Sequence, residues 1–200
     1  MSQGDERSDG KSELRVRARA RRDAVDPTER AAWSQQLAVR GVAALRERAA
    51  VPGAVVSAYW PMRSEADPRP LAKELAALGA ALALPSFVGK TMLFRAWPRD
   101  DELVPAGFQT FEPPPSASVV VPTLVLAPLL AFDARGHRLG WGKGYYDTAL
   151  GKLDAAARGE GVRPFVVGFA FACQEVAAVP VEPHDRRLDA ILTEHGFRPC

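Results

Sequence analysis

Cysteine is scarce: Cys173 and Cys200 are the two in 200 residues, too isolated for a disulfide framework or a thiolate metal site. Such usage suits a reducing compartment. No uninterrupted apolar run approaches the roughly 20 residues a membrane helix needs, so no membrane partner is expected. The first ten residues are polar and acidic and lack the apolar core of a secretory signal, which leads us to expect a cytoplasmic protein. Net charge is also small. The 26 Lys and Arg against 24 Asp and Glu leave a formal +2, which gives no strong electrostatic reason for a nucleic acid partner. Histidine is limited to His137, His184 and His195, without metal-ligand spacing, and none is assigned a catalytic role. No repeat and no coiled-coil pattern is seen, and a monomer is expected.

What is present is 47% hydrophobic residues, enough for one well-buried core. Residues 1–10, with Met1 as their one large apolar residue, are expected to be a disordered tail. From Lys11 to Arg22 six basic residues stand against Glu13 alone, and helical spacing places Lys11, Arg15, Arg19 and Arg22 on one face. Asp26-Pro27 reads as a cap and first turn of a second helix, with Trp33, Leu37, Ala44 and Leu45 on its buried side. Ala54–Tyr59 reads as a buried strand, Asp67-Pro68 as another helix start with Leu71, Leu75 and Leu78 on one face, and Ala80–Leu84 as a second strand. That order implies a parallel βαβ unit. Prolines between Pro98 and Pro128 imply rigid loop, with a strand over Thr123–Ala127. A helix over Tyr145–Leu153 and strands at Val166–Phe169 and Ala190–Thr193 complete the pattern. The expected fold is α/β, one domain over 11–200 with a mainly parallel sheet flanked by helices.

The densest chemistry lies in Arg138-Leu139-Gly140-Trp141-Gly142-Lys143-Gly144-Tyr145-Tyr146-Asp147, which ends where a helix begins. Its glycines permit close backbone approach to a ligand, and its N–H groups with a helix N-terminus suit a phosphate. Arg138 and Lys143 add full charges, and Asp147 is suited to the hard Mg²⁺ a phosphate brings. The run is neither a Walker A sequence nor G-x-G-x-x-G, since Tyr145 stands at the third glycine position. A purely structural glycine turn is the alternative, and Asp133 and Tyr146 read as residues that secure the turn and the helix.

With its context, Pro128 to Asp133 followed by Arg135 to Asp147, this run resembles the signature of the 5-formyltetrahydrofolate cyclo-ligases, also called methenyltetrahydrofolate synthetases. The similarity extends in order from Lys11 to Thr193. It includes Lys11-Ser12-Glu13-Leu14-Arg15, Tyr59-Trp60-Pro61-Met62-Arg63-Ser64-Glu65 and Glu182-Pro183-His184-Asp185-Arg186-Arg187-Leu188-Asp189. Trp141 stands where many relatives have Tyr or Arg, and Leu129 where Gly is usual. The resemblance implies ATP contacts at Lys11, Arg15 and 138–146, folate contacts at Trp60, Glu65 and 141–145, and a Mg²⁺ site at Asp147 and Asp185. It implies small-molecule substrates only, 5-formyltetrahydrofolate and ATP, converted to 5,10-methenyltetrahydrofolate, ADP and phosphate through a phosphorylated formyl group. Arg138 and Lys143 are the expected catalytic cations. The rival reading, a nucleic-acid module using the basic helix, lacks any base-reading motif elsewhere in the chain.

Overall fold

Leu124–Ala127 is buried along its whole length and lies at the centre of the sheet. The computed structural model describes residues 3–97, 102–159, 161, 163–183 and 185–200. Met1 and Ser2 of the expected tail, residues 98–101 of the proline-rich stretch, and His184 lie outside the described residues. The helices are α1 (Gln3–Asp23), α2 (Pro27–Ala49), α3 (Arg69–Ala77) and α4 (Tyr145–Ala157). The strands are β1 (Val55–Ser57), β2 (Ala81–Val88), β3 (Thr91–Ala96), β4 (Val104–Pro105), β5 (Phe111–Glu112), β6 (Leu124–Ala127), β7 (Ala131–Phe132), β8 (Arg138–Leu139), β9 (Phe165–Phe169), β10 (Ala190–Thr193) and β11 (Gly196–Pro199). Seven of them form one sheet in the order β11-β10-β9-β6-β1-β2-β3. Its inner strands are parallel, and antiparallel β3 and β11 close the two edges.

Period-two alternation sorts the core into two layers. Leu124 and Leu126 of β6, with Val167 and Phe169 of β9, face Leu37 and Leu45 of α2 and Leu71 and Leu75 of α3. Val125 and Ala127 of β6, with Val166 of β9, face Leu150 of α4 on the other side. The helix α2 lies close to the sheet because position 41 is glycine: a Cβ there would sit 2.5 Å from Leu71 Cδ2 and 2.9 Å from Leu192 Cδ2. Its start follows the sequence, with Asp26 Oδ1 accepting from Thr28 N at 2.8 Å and Pro27 at the first position.

The helix α1 begins at Gln3 and takes in residues 3–10. Extending a helix already nucleated over an anchored segment costs little per residue. The buried stripe of α1 is Lys11, Leu14, Ala18 and Arg22, with Arg15 half-buried beside it, while Arg19 is exposed and pairs with Asp23 at 3.3 Å. Asp67 caps α3 through its bond from Arg69 N, 3.0 Å, although Pro68 occupies the flanking position. Leu78, at 37% exposure, lies beyond the buried face of that helix. Finally, β2 continues through Pro85 to Val88. Its pairing with β1 ends at Ala83, so the missing proline N–H falls where only β3 is a neighbour.

Candidate active site

Parallel α/β sheets present ligand sites at the carboxyl ends of their strands, and two loops here leave adjacent strands at that edge. After β1 come Tyr59 to Ala66; after β6 comes the short hairpin β7–β8, then the glycine run leading into α4. Asp133 secures the hairpin. Its carboxylate is fully buried and accepts from the backbone N–H groups of Arg135, His137 and Val179 at 3.0–3.1 Å, from the His137 ring and from the Arg135 guanidinium. Burial would raise its pKa, but these donors prevail and hold it at about 2. Gly142 and Gly144 take φ of 91° and 65°, which turns the chain into the first turn of α4. A Cβ on Gly142 would lie 3.1 Å from the Arg15 guanidinium carbon, so the glycine admits a side chain from α1.

That helix lies along the glycine run. Arg15 Nε donates to Gly140 O at 3.1 Å. Lys11 Nζ lies 2.9 Å from both Glu182 Oε1 and Asp185 Oδ2. Burial disfavours the Lys11 charge, yet Asp185 and Glu182 more than compensate and hold its pKa above the ordinary lysine value. Arg138, whose side chain is almost wholly buried, donates to Asp147 Oδ1 at 2.6 Å and to Arg186 O. The Arg186 N–H also reaches Asp147 Oδ1, at 3.1 Å, which ties Asp147 to the segment carrying Asp185. Lys143 is exposed at the crest of the loop, and Leu139 turns its side chain into the core beside Leu14 and Ala18. The outer cations of α1 stay exposed and make surface contacts: Arg17 with Glu13, Arg19 with Asp23, and Arg21 with the carbonyls of Cys173 and Glu175.

Beside this charged cluster lies an aromatic wall. Trp60 packs between Phe111, ring centroids 4.9 Å apart, and the Arg69 guanidinium, 4.4 Å from its ring. Tyr145 meets Phe87 edge to face at 4.9 Å, and both rings are partly exposed. Glu65 is 8% exposed, and a turn holds it, with Glu65 N donating to Met62 O and Met62 N to Glu65 Oε2. Its other oxygen, Oε1, accepts from the Trp141 indole N–H at 3.0 Å. Trp141 therefore joins the glycine run to the loop after β1. Tyr146 has its hydroxyl buried with no hydrogen-bond partner among the described residues, and burial raises its pKa far above the ordinary tyrosine value.

A Lys and Arg one helical turn apart thus lie along a glycine run with two left-handed glycines, and each of Lys11 and Arg138 is paired with an aspartate. A family model described as the 5-formyltetrahydrofolate cyclo-ligase family matches residues 7–194. The chain belongs to that family. It is 31% identical over 182 residues to the 5-formyltetrahydrofolate cyclo-ligase of Escherichia coli K12, covering 88% of this chain and 95% of that one. The Mycolicibacterium smegmatis cyclo-ligase is 32% identical over 152 residues, 72% of this chain and 75% of its own. Among solved structures, the Aquifex aeolicus 5,10-methenyltetrahydrofolate synthetase aligns with a TM-score of 0.72 at 28% identity, covering 94% of this chain and 92% of that one.

Of the positions expected from the sequence, Lys11 contacts Asp185, Arg15 contacts Gly140 and lies over Gly142, Arg138 contacts Asp147, and Trp141 contacts Glu65. Trp60 belongs to the neighbouring wall, and Leu139 offers only its backbone. Among the described residues no group of three His, Cys, Asp or Glu forms a metal cage. Asp147 accepts from the backbone N–H next to Asp185, and a pair of carboxylates suits Mg²⁺, which takes one or two of them and completes its shell with phosphate and water. Two participants carried no signal beyond their charge. Glu182 partners Lys11, and Arg22 is completely buried behind Glu65.

Proposed function

We propose that the protein converts 5-formyltetrahydrofolate and MgATP to 5,10-methenyltetrahydrofolate, ADP and phosphate in the cytoplasm, as a monomer without nucleic-acid or membrane partners. The observation that carries this reading is the contact of α1 with the glycine run: Arg15 on Gly140 and over Gly142, with Lys11 one turn away. This contact supports a reading in which the cations of α1 and the helix-opening glycine loop bind phosphate near the loop that carries Glu65. The burial of Lys11 and Arg22 and the contact of Arg15 with Gly140 turn half of the basic helix inward, away from a nucleic-acid face.

A formamide carbon is a poor electrophile. In the proposed sequence the formyl oxygen attacks the γ-phosphorus and ADP leaves. The resulting phospho-imidate carbon is then attacked by N10, which closes the ring as the C–O bond to phosphate breaks. Little covalent chemistry falls to the protein, so positioning and charge stabilisation are its tasks. Lys11 and Arg138 exchange their carboxylate partners for phosphate oxygens, Arg15 holds the loop closed, and Lys143 reaches the transferring group from the loop crest. Asp147 and Asp185, released from those cations, would hold Mg²⁺, which supplies charge neutralisation at the phosphates. Trp60, Trp141 and Tyr145 offer flat faces to the pterin and aminobenzoyl rings, and Glu65 accepts from the pterin N–H donors.

Mixing the protein with 5-formyltetrahydrofolate and MgATP and following the near-ultraviolet absorbance of the methenyl product tests the reading. ATP-dependent product is expected; its absence overturns the proposal.

A further inference from the structure

Arg22 has no role in the reaction just described, yet it is the bulkiest side chain with no solvent exposure among the described residues. Its Nε donates to Ser64 Oγ at 3.0 Å, and Ser64 in turn donates to Asp23 Oδ1. Nη1 and Nη2 are both shielded from solvent and have no hydrogen-bond partner among the described residues. Stability alone favours an apolar side chain over a buried cation so incompletely paired. What the guanidinium faces is specific: Nη1 lies 3.9 Å from Glu65 Oε1, and Cζ lies 5.6 Å from the centre of the Trp141 ring. A shared pair of partners, Ser64 and Glu65, sits at consecutive positions of the loop after β1.

Among the described groups, Arg22 is the cation that faces Glu65. From α1 the neighbouring titratable groups are Arg22 and Asp23; from the end of β1, Tyr59; from the turn after β9, Cys173; and from α4, Tyr146. Burial pushes the Tyr59 and Tyr146 hydroxyls and the Cys173 thiol upward, so these three are neutral. Asp23 is held ionised by its bond from Ser64. Burial is the largest influence on the Glu65 carboxyl and holds its pKa above the ordinary value, against the Met62 N–H, the Trp141 N–H and, after them, the Arg22 charge. Of these three, only Arg22 carries a full charge, and an opposite charge 3.9 Å away favours the ionised form.

We propose that Arg22 is a positioning residue for folate recognition: aimed at Glu65 from α1, its buried guanidinium favours the ionised form of that carboxylate, the form that accepts the N–H donors of the pterin. The inference rests on the activity proposed above, in which Glu65 takes those donors. Arg22 itself touches no substrate. A purely structural Arg22 would stitch α1 to the loop and would affect stability, ATP use and folate use alike, whereas the positioning role is confined to folate and depends on pH.

The test uses the full chain with Arg22→Gln and Arg22→Lys, measuring KM for each substrate and kcat between about pH 6 and pH 8. Wild type is expected to show a nearly flat folate KM. In Arg22→Gln the folate KM should rise about tenfold as pH falls across that range, the ATP KM should stay within about twofold, and Arg22→Lys should restore most of the difference. A flat folate KM in Arg22→Gln, an equal rise in both KM values, or no rescue by lysine overturns the proposal. A second readout needs no turnover: the pH titration of indole emission, taken as the difference from the corresponding Trp141→Phe chain, reports the proton on Glu65. Its midpoint should move up by more than about one pH unit in Arg22→Gln. An unmoved midpoint overturns the role of Arg22 whatever the assay shows, while a moved midpoint with a blank wild-type assay overturns the activity and not the electrostatic coupling. Should Arg22→Gln fail to fold, Ser64→Ala decides, since it removes the Nε acceptor and keeps the charge. About a threefold rise in folate KM with unchanged ATP KM supports the proposal, and unchanged folate KM overturns it.

Discussion

Two charged residues of the glycine run differ in what surrounds them, and their variants should separate function from stability. Lys143 is exposed, so Lys143→Ala is expected to leave thermal unfolding within about 0.5 kcal/mol of wild type. Its turnover should fall about 100-fold, the scale of losing one donor to a developing charge. Asp147 is the carboxylate partner of a buried guanidinium, so Asp147→Ala strands Arg138 as well as removing a magnesium ligand of the proposed site. That variant should lose about 3 kcal/mol in urea unfolding in addition to turnover. Equal stability of the two variants would contradict the burial argument. Asp133 is the stability counterpart without chemistry. Its folded pKa is held near 2, below the ordinary 3.8, so its carboxylate stabilises the fold fully above the ordinary value, and that stabilisation disappears as pH falls through about 2. Asp133→Ala, which leaves three backbone N–H groups buried without their acceptor, should cost about 3 kcal/mol near neutrality. The gap from wild type should close only below about pH 4, as followed by urea unfolding at stepped pH.

At the scale of elements, the loop and α1 form one device, because a side chain from the helix occupies the space above a glycine. Gly142→Ala places a methyl 3.1 Å from the Arg15 guanidinium at a φ of 91°, which L-residues adopt at a cost of about 1–2 kcal/mol. It should raise the ATP KM about tenfold by displacing Arg15 from Gly140, with little change in folate KM at saturating ATP. On the opposite layer, Gly41→Ala gains about 1 kcal/mol of helix propensity but meets Leu71 and Leu192, both without solvent exposure. Overpacking costs about 1–3 kcal/mol, so a net loss is expected in thermal unfolding, with kinetics unaltered. These contacts also explain what the sequence could and could not disclose. Buried parallel strands such as Leu124–Ala127 and Ala190–Thr193 are short apolar runs and stand out. The edge strands do not: β3 carries Arg95 and β11 carries Arg198 and Pro199, a composition that reads as loop until a neighbouring strand supplies the pairing. Within the candidate site, Lys11 and Arg15 were singled out by the family resemblance and the glycine run by its spacing as well, and the structure brings Arg15 onto that run. Arg22 was assigned to the right face of α1 with the wrong neighbour, Arg19, since a 3.6-residue repeat admits either partner and only tertiary packing selects Leu14 and Ala18.

For the molecule as a whole, the small formal charge of +2 conceals a pairing in which the proposed phosphate ligands and the proposed metal ligands neutralise one another. Lys11 holds Asp185 and Glu182, and Arg138 holds Asp147. This arrangement links the two ligands. ATP alone, drawing Lys11 and Arg138 toward its phosphates, leaves three carboxylates facing a polyanion; Mg²⁺ alone must displace two short-range cations before it reaches its oxygens. Together the ligands replace each broken ion pair with another, so MgATP should bind far better than either component. Ligand binding stabilises the folded state by about 2.7 kcal/mol at a hundredfold excess over Kd, and for a chain of this size each kcal/mol moves the unfolding temperature by about 2–4 °C. Differential scanning fluorimetry should therefore show a rise of about 5–10 °C with saturating MgATP, against about 1 °C or less with Mg²⁺ alone at the same concentration. ATP with a chelator should fall between the two and depend more steeply on salt, because its uncompensated repulsions are screened. Lys11→Met removes one of the exchanging cations, so it should reduce the MgATP shift while making Asp185 more available to the metal alone. Equal shifts for Mg²⁺ and MgATP in wild type would show that the carboxylates are not held by Lys11 and Arg138 in solution, and the linkage would fail with them.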